Sequence, residues 1–327
     1  MDKIIATIAF SIISIIGNAQ MMKQNEPLAH TYSIVARDEK TGEIAIGVQS
    51  HWFSVGTVVS WAEAGVGAVA TQSFVNVSFG QRGLALLKLG FTPQKVLDSL
   101  LSDDSGREVR QVAIIDTFGN VATHTGKNCI QFADHKNGQN FSVQANMMLN
   151  DKVTADMEKA WNLNAGKRLP ERIVEVLKAA QLAGGDIRGK QSAALLVVKP
   201  RSTGKIWEDR YIDLRVDDHV SPILELERLL KVFRAYEYMN EGDLLMENKD
   251  MNGAMTAYNA AMKLFPQNLE MKYWTAITLA NNKETDKAIS LLKKIYAKDA
   301  NWRELTKRIR KVGLLTVSDT DFAKLIQ

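Results

Sequence analysis

Residues 31–38 (TYSIVARD) and 43–50 (EIAIGVQS) decide the fold of the first part of this chain. Both stretches are short and rich in β-branched and apolar residues, and residues 40–42 (KTG) suit a turn, so the sequence predicts a β-hairpin. The hairpin opens on Thr31. A threonine at the head of a strand can serve as a nucleophile when its own α-amine is free to accept the hydroxyl proton.

Strand and helix signals continue from residue 31 to residue 220. Strands are predicted at 31–37, 43–49, 65–72, 109–116, 119–125, 141–148, 192–199 and 210–216, and helices at 79–89, 92–101, 153–163 and 170–182. The strands come partly as hairpins and the helices partly as consecutive pairs. This rhythm is typical of antiparallel sheets covered by helix pairs, so the fold class expected for residues 31–220 is α+β.

The sequence changes character at residue 221, after which helices are predicted throughout. We expect a connecting helix over 221–235 and a tetratricopeptide-like domain over 236–327, with a plain helical bundle as the alternative. Small and bulky residues recur there at a spacing of 34 residues: Gly242, Ala254, Tyr258, Ala261 and Pro266 correspond to Ala276, Ala288, Leu292, Ile295 and Ala300. Two such repeats are fewer than an independent solenoid needs, so they are expected to pack on the connecting helix or on a partner.

The N-terminus has the pattern of a signal peptide over residues 1–19. Lys3 precedes the apolar residues 4–16, and Gly17 and Ala19 suit cleavage before Gln20. The apolar stretch is short for a membrane span, so no stable membrane insertion is expected, although a short N-terminal anchor is the alternative. The mature protein is therefore expected in the periplasm or secreted, with residues 20–30 as a flexible lead-in.

Composition narrows the classes of ligand. A formal net charge of +4 over 327 residues gives no basic surface for nucleic acid. Cys129 is the one cysteine, which excludes an intramolecular disulfide and a multi-thiolate metal site. The five histidines are scattered without metal-ligand spacing. Neither a metal nor another cofactor is expected.

Several longer strings carry a resemblance over about residues 31–220. They are residues 32–38 (YSIVARD), 61–72 (WAEAGVGAVATQ), 106–112 (GREVRQV), 188–198 (RGKQSAALLVV) and 209–219 (DRYIDLRVDDH). In these strings the chain resembles a bacterial family of unknown function, DUF1028, which is grouped with the N-terminal-nucleophile hydrolases. The resemblance implies a four-layer αββα sandwich with Thr31 in the position of the nucleophile.

The lead-in complicates this mechanism, because signal cleavage before Gln20 would leave residues 20–30 ahead of Thr31. A free Thr31 amine then requires a second cut between His30 and Thr31, either autocatalytic or by another protease. The alternative is that Thr31 is an ordinary strand residue. The predicted catalytic residues are Thr31, Ser50 and His124, and the predicted substrate-binding residues are Gln72, Asn76, Asn146, Asp186, Arg188 and Gln191.

Three functions remain open from the sequence. The first is an exported hydrolase that cleaves a small peptide or another amide, with Arg188 binding a substrate carboxylate and His124 shuttling protons. The second is a non-catalytic envelope module that binds a protein partner through residues 236–327. The third is a metal-dependent hydrolase that uses His51, His124 or the Asp218-His219 pair. A homodimer is a further expectation, because sandwich folds of this kind often pair.

Overall fold

The computed structural model describes residues 28–327, which form a mixed α/β region followed by a helical region. The expected signal peptide and residues 20–27 of the lead-in lie outside the described residues. The first region contains two antiparallel sheets, here called sheet A and sheet B, which confirms the α+β class.

The strands of sheet A are β1 (Leu28–Ala29), β4 (Ser60–Glu63), β5 (Gly67–Phe74), β6 (Arg110–Asp116) and β7 (Val121–Thr125). Those of sheet B are β2 (Thr31–Arg37), β3 (Ile44–Ser50), β8 (Asp134–Gly138), β9 (Phe141–Ala145), β10 (Ser192–Val198) and β11 (Arg210–Val216). Sheet A has the order β1-β5-β6-β7, with β4 also paired to β5, and sheet B has the order β11-β10-β3-β2-β9-β8.

The helices of this region are α1 (Gly56–Val59), α2 (Ser78–Lys88), α3 (Pro93–Ser102), α4 (Val153–Leu163), α5 (Leu169–Leu182) and α6 (Ile206–Asp209). A single 3-10 turn spans Arg107–Val109. Helix α3 begins as the sequence predicts, because the Thr92 hydroxyl accepts a hydrogen bond from the Lys95 amide and Pro93 occupies the first turn.

Each sheet is buried on both faces in its central strands. Along β2, Ile34 packs in a core with α4 and α5, while Val35 packs against residues of sheet A such as Ala70 and Ala113. On the far face of sheet A, residues such as Val112 pack against α2 and α3. Because side chains alternate along a strand, Thr31 and Ser33 lie on the same face of β2 as Val35, between the two sheets.

The helical region contains α7 (Pro222–Glu247), α8 (Met251–Leu264), α9 (Leu269–Asn281), α10 (Thr285–Tyr296), α11 (Asn301–Lys311) and α12 (Asp319–Leu325). The connecting helix predicted over 221–235 does not end at residue 235, because α7 runs without interruption to Glu247. No helix of the described residues is both long and apolar enough to cross a membrane.

Candidate active site around the His30–Thr31 peptide bond

The last three residues of the lead-in belong to the fold, contrary to the expectation of a flexible segment up to residue 30. Leu28 and Ala29 form β1, which pairs with Phe74 and Ser73 at the end of β5. The His30–Thr31 peptide bond follows directly and is buried, since His30 is 2 % exposed and Thr31 is 0 % exposed. Pairing with β5 orders these residues, and a strand of only two residues is too short to be predicted from its sequence.

The carbonyl oxygen of His30 lies between two side-chain donors. The Ser50 hydroxyl donates to it at 2.6 Å, and Nη2 of Arg188 donates to it at 2.8 Å. Ser50 is in place because β2 and β3 pair in a register that sets Thr31 opposite Ser50. A carbonyl oxygen with two polarising donors is positioned to accept negative charge.

Asp186 holds Arg188 in this position. Its carboxylate accepts from Nε of Arg188 at 3.0 Å, from Nη2 at 2.7 Å and from the Arg188 amide at 2.9 Å. The Asp186 side chain is fully buried, and the His51 amide donates to it as well, at 3.2 Å. A paired, fork-shaped contact of this kind restricts the guanidinium to one orientation.

Thr31 is held by hydrogen bonds at both its hydroxyl and its carbonyl oxygen. The hydroxyl donates to the Ala29 carbonyl oxygen at 2.7 Å. The Thr31 carbonyl oxygen accepts from the backbone amide of Asn146 at 3.1 Å and from Nε2 of Gln72 at 3.2 Å. The single hydroxyl proton of Thr31 is therefore engaged with the residue two positions upstream.

The layer between the sheets becomes polar next to Thr31. Nε2 of Gln72 and Nδ2 of Asn146 both donate to Oε1 of Gln111, at 2.7 and 2.9 Å. The Ser33 hydroxyl donates to Oε1 of Gln72 at 2.6 Å and accepts from Nε2 of Gln144 at 2.8 Å. All five side chains are fully buried, so this network fixes the strand ends that carry Thr31.

The His30 ring is part of the same enclosure. Its Nδ1 lies 2.8 Å from Oδ1 of Asn146, and its ring meets that of Phe74 edge-on at a centroid distance of 5.4 Å. Burial lowers the pKa of His30, and the hydrogen bond to Asn146 opposes part of this shift. The imidazole is therefore neutral near pH 7, where it can take part in a hydrogen bond without placing a charge beside Arg188.

The structure brings six of the nine predicted site residues into contact with the His30–Thr31 unit or its supports: Thr31, Ser50, Gln72, Asn146, Asp186 and Arg188. Gln191 is adjacent in sequence to β10, and its amide donates to the Ser50 carbonyl oxygen at 3.0 Å, so its backbone rather than its side chain makes the contact.

His124 and Asn76 are not brought to this cluster. His124 pairs with Val112 across sheet A, so it shares the face that α2 and α3 cover, and its Nε2 lies 2.8 Å from the Arg107 carbonyl oxygen. The Asn76 side chain accepts from the Ser78 amide at 3.2 Å, just before α2. Sequence alone could not show which face of β7 His124 would occupy.

Sequence reasoning missed Ser33, Gln111 and Gln144. For Gln111 and Gln144, as for Gln72, the signal that could have found them is a glutamine within a mostly apolar predicted strand. The histidines and acids proposed for a metal site do not converge, since residues 28–327 contain no group of three or more His, Cys, Asp or Glu side chains that could hold a metal ion.

Comparisons with known proteins agree with the two regions. The model of the family of unknown function DUF1028 matches residues 31–226, and a tetratricopeptide repeat model matches residues 245–309. Among solved structures, protein SPO2555 from Silicibacter pomeroyi, itself described as a DUF1028 protein, is 29 % identical with a TM-score of 0.56, over 62 % of this chain and 85 % of that one.

A more distant match is Anbu, described as an ancestral β-subunit, from Yersinia bercovieri. It is 10 % identical with a TM-score of 0.30, over 62 % of this chain and 96 % of that one, which is too low a similarity to argue from. No curated protein matches significantly. The family match covers more than half of the chain, and the suspected resemblance is confirmed: the protein belongs to the DUF1028 family and has a tetratricopeptide-like C-terminal region.

Proposed function

We propose that the protein is an exported hydrolase of the N-terminal-nucleophile type, which cleaves an amide bond through Thr31 after its own chain is cut between His30 and Thr31. The observation that carries this proposal is the His30 carbonyl oxygen held between Ser50 at 2.6 Å and Arg188 at 2.8 Å, directly before a threonine. Two sheets that pack on each other, with helices on their outer faces, are consistent with the four-layer αββα sandwich that this mechanism would use.

The burial of the His30–Thr31 bond favours an autocatalytic cut. Proteases act on exposed and mobile segments, whereas this bond follows a paired strand and is enclosed between the sheets. In the proposed step, Oγ of Thr31 attacks the carbonyl carbon of His30, and Ser50 and Arg188 stabilise the oxyanion. The C–N bond then breaks and the nitrogen takes up the hydroxyl proton, which leaves an ester. Water hydrolyses the ester to a His30 carboxylate and a free Thr31.

The same groups would then act on a substrate. The released α-amine of Thr31 takes the proton from Oγ, either directly or through water, and Oγ attacks the substrate carbonyl carbon. Ser50 and Arg188 are available to its oxyanion once residues 28–30 have left. These residues mark the place of the acyl group, because they run beside β5 and end on the carbonyl that the two donors hold. A small peptide in an extended conformation fits this position.

The experiment is mass spectrometry of the N-terminus of the full-length protein recovered from its expressing cells. We expect the mature chain to begin at Thr31 and the Thr31→Ala chain to remain uncut and without amide hydrolysis. Thr57→Ala, which changes an exposed threonine of α1, is the matched control and should be cut normally. An active protein that begins upstream of Thr31 would refute the free-amine mechanism.

A second candidate function is supported by the repeat match over residues 245–309. Tetratricopeptide helices commonly bind proteins, so we propose a protein partner for this region. Capture with the intact chain tests it. A partner bound equally by the wild type and the Thr31→Ala protein would show that binding does not depend on the hydrolase site.

A further inference from the structure

A cleft of about 770 Å³ opens at the end of β2 opposite to Thr31. Arg37 ends that strand, so the cleft lies about 20 Å from Thr31 at the usual rise of a strand. Its walls come from the turn after β2, the loop between β8 and β9, the end of α4 and the start of α5. We call it the basic cleft, because five basic side chains and three acidic ones line it.

Arg172 of α5 is fixed in the wall of the basic cleft but not neutralised there. Its guanidinium lies over the Trp161 ring at 3.3 Å from the centroid, and its Nε donates to the Trp161 carbonyl oxygen at 2.8 Å. Within residues 28–327 no carboxylate lies within 4 Å of this guanidinium, and its two terminal nitrogens have no hydrogen-bond acceptor. Stacking on an aromatic ring orients an arginine while leaving those terminal N–H groups free to bind a ligand.

Arg37, at the end of β2, also lines the basic cleft and is in a similar state. Among the described residues its Nε is buried without an acceptor, and Nη1 has only a long contact of 3.4 Å to Oδ1 of Asn140. No carboxylate of the described chain pairs with it. A guanidinium has five donors, so most of the hydrogen-bonding capacity of Arg37 is unused by the protein around it.

No acid of the basic cleft forms an ion pair with either arginine in the described chain, although the nearby Asp38 carboxylate opposes part of the lowering that burial causes in the pKa of Arg172. One oxygen of Asp38 accepts from the amides of Lys40 and Thr41, both at 2.8 Å, and so closes the turn after β2. Two further cations of the rim, Lys167 and Arg168, face acids outside the cleft, with Lys167 bound to Glu175 at 2.7 Å. Among the arginines of the cleft, Arg37 and Arg172 are therefore the two without an ion pair to a described residue.

We propose that the basic cleft binds a small molecule through an oxyanion group, a carboxylate or a phosphate, held between Arg37 and Arg172. Both groups present oxygens at the spacing that a guanidinium fork recognises. The volume is that of a typical small-molecule site, so the ligand is larger than a bare ion. This site would be separate from Thr31 and does not require the proposed hydrolase activity.

Isothermal titration calorimetry of the full-length protein at low salt tests the proposal, with inorganic phosphate and citrate as probes for the two groups. We expect saturable binding of at least one probe. Because each variant removes charge-assisted hydrogen bonds, Arg37→Gln and Arg172→Gln should each weaken binding about tenfold or more. Arg82→Gln is the matched control, since Arg82 also lies over an aromatic ring, that of Phe79, but outside the cleft.

Arg172→Gln also removes the contact with Trp161 and so lowers stability, which is why its fold is checked by thermal melting. Arg37→Gln keeps that contact and therefore tests binding independently of it. The stronger of the two probes identifies the oxyanion group. Failure of both probes to saturate, or equal binding by the wild type and the Arg37→Gln protein, would overturn the proposal. Thr31→Ala should bind the probes as the wild type does, whatever the outcome for hydrolysis.

Discussion

At the scale of single residues, the two donors on the His30 carbonyl oxygen make a quantitative prediction. Ser50→Ala and Arg188→Gln each remove one of the hydrogen bonds that would stabilise the oxyanion of the cut. Loss of one such donor slows acyl transfer by about 10²–10³-fold, so we expect each variant to accumulate uncut chain. Intact mass spectrometry over time measures the rate at which Thr31 becomes the N-terminus.

Ser54→Ala is the control for these two variants. Its hydroxyl donates to Asp217 at 2.6 Å in an exposed position and not to the His30 carbonyl oxygen. A cut at the wild-type rate in both the Ser50 and the Arg188 variants would mean that the two donors only support the fold.

His30 makes a second prediction at this scale, about stability and pH. Burial lowers its pKa in the folded chain, so as pH falls below the ordinary value near 6.5 the unfolded chain takes up a proton before the folded one does. Proton uptake by the unfolded state lowers the free energy of unfolding. We therefore expect the uncut Thr31→Ala protein to lose stability from pH 7 towards pH 5.

Adding His30→Gln to the Thr31→Ala protein should reduce this slope, as followed by denaturant unfolding at several pH values. Burial also lowers the pKa of His135 in the same direction, so part of the slope should remain. An unchanged slope in the double variant would show that His30 is not the group that titrates.

At the scale of elements, the contact of β3 with α5 depends on one glycine. A Cβ on Gly47 would lie 2.2 Å from Cγ2 of Ile173, which is fully buried. Gly47→Ala should therefore lower the free energy of unfolding by about 1–3 kcal/mol, as overpacking does. Gly166→Ala is the control, because a Cβ there would meet nothing within 4 Å.

A double-mutant cycle with Ile173→Ala identifies the cause. If the clash with Ile173 is responsible, the Gly47→Ala change should cost less in the Ile173→Ala background than in the wild type. Strictly additive effects would show that the cost arises from the strand backbone and not from this contact.

The elements also show what periodicity could and could not predict. Strands β2, β10 and β11 begin at the predicted residues 31, 192 and 210, and α4 spans the predicted residues. Strand β8 (DHKNG) was missed because it is polar and lies at the edge of sheet B, where one neighbour suffices. An edge strand of this kind forms because it pairs with a neighbouring strand, and its own local sequence does not predict that pairing.

The same limit applies to the prediction of the candidate active site. Thr31 and Arg188 were predicted because each lies in or beside a string that resembles the family, and Ser50 because it ends the strand expected to pair with the one that Thr31 begins. Gln111 and Gln144 were missed, since their role depends on where two sheets face each other. The packing of the two sheets brings together residues that are far apart in the chain, such as Ser33 and Gln72, and local sequence patterns do not predict such contacts.

At the scale of the whole molecule, α7 belongs to two cores. Near its start, Leu226 belongs to a core shared with α5 and sheet B, and nearer its end, Met239 belongs to a core shared with α8 and α9. Between them, Nε of Arg234 donates to Glu171 of α5 at 2.7 Å. A continuous helix fixed at both ends should transmit a loss of order from one region to the other.

We therefore expect the two regions to unfold in one cooperative transition. Leu226→Ala in the first core and Leu292→Ala in the further core formed by α9 and α10 remove fully buried side chains, and each should cost about 2–5 kcal/mol. In hydrogen exchange followed by mass spectrometry, each variant should weaken protection in β10 and in α10 alike. Leu244→Ala, at an exposed position of α7, should change protection little. Faster exchange in α10 alone for Leu292→Ala would show that α7 joins two independent units, because a shared transition cannot lose protection on one side only.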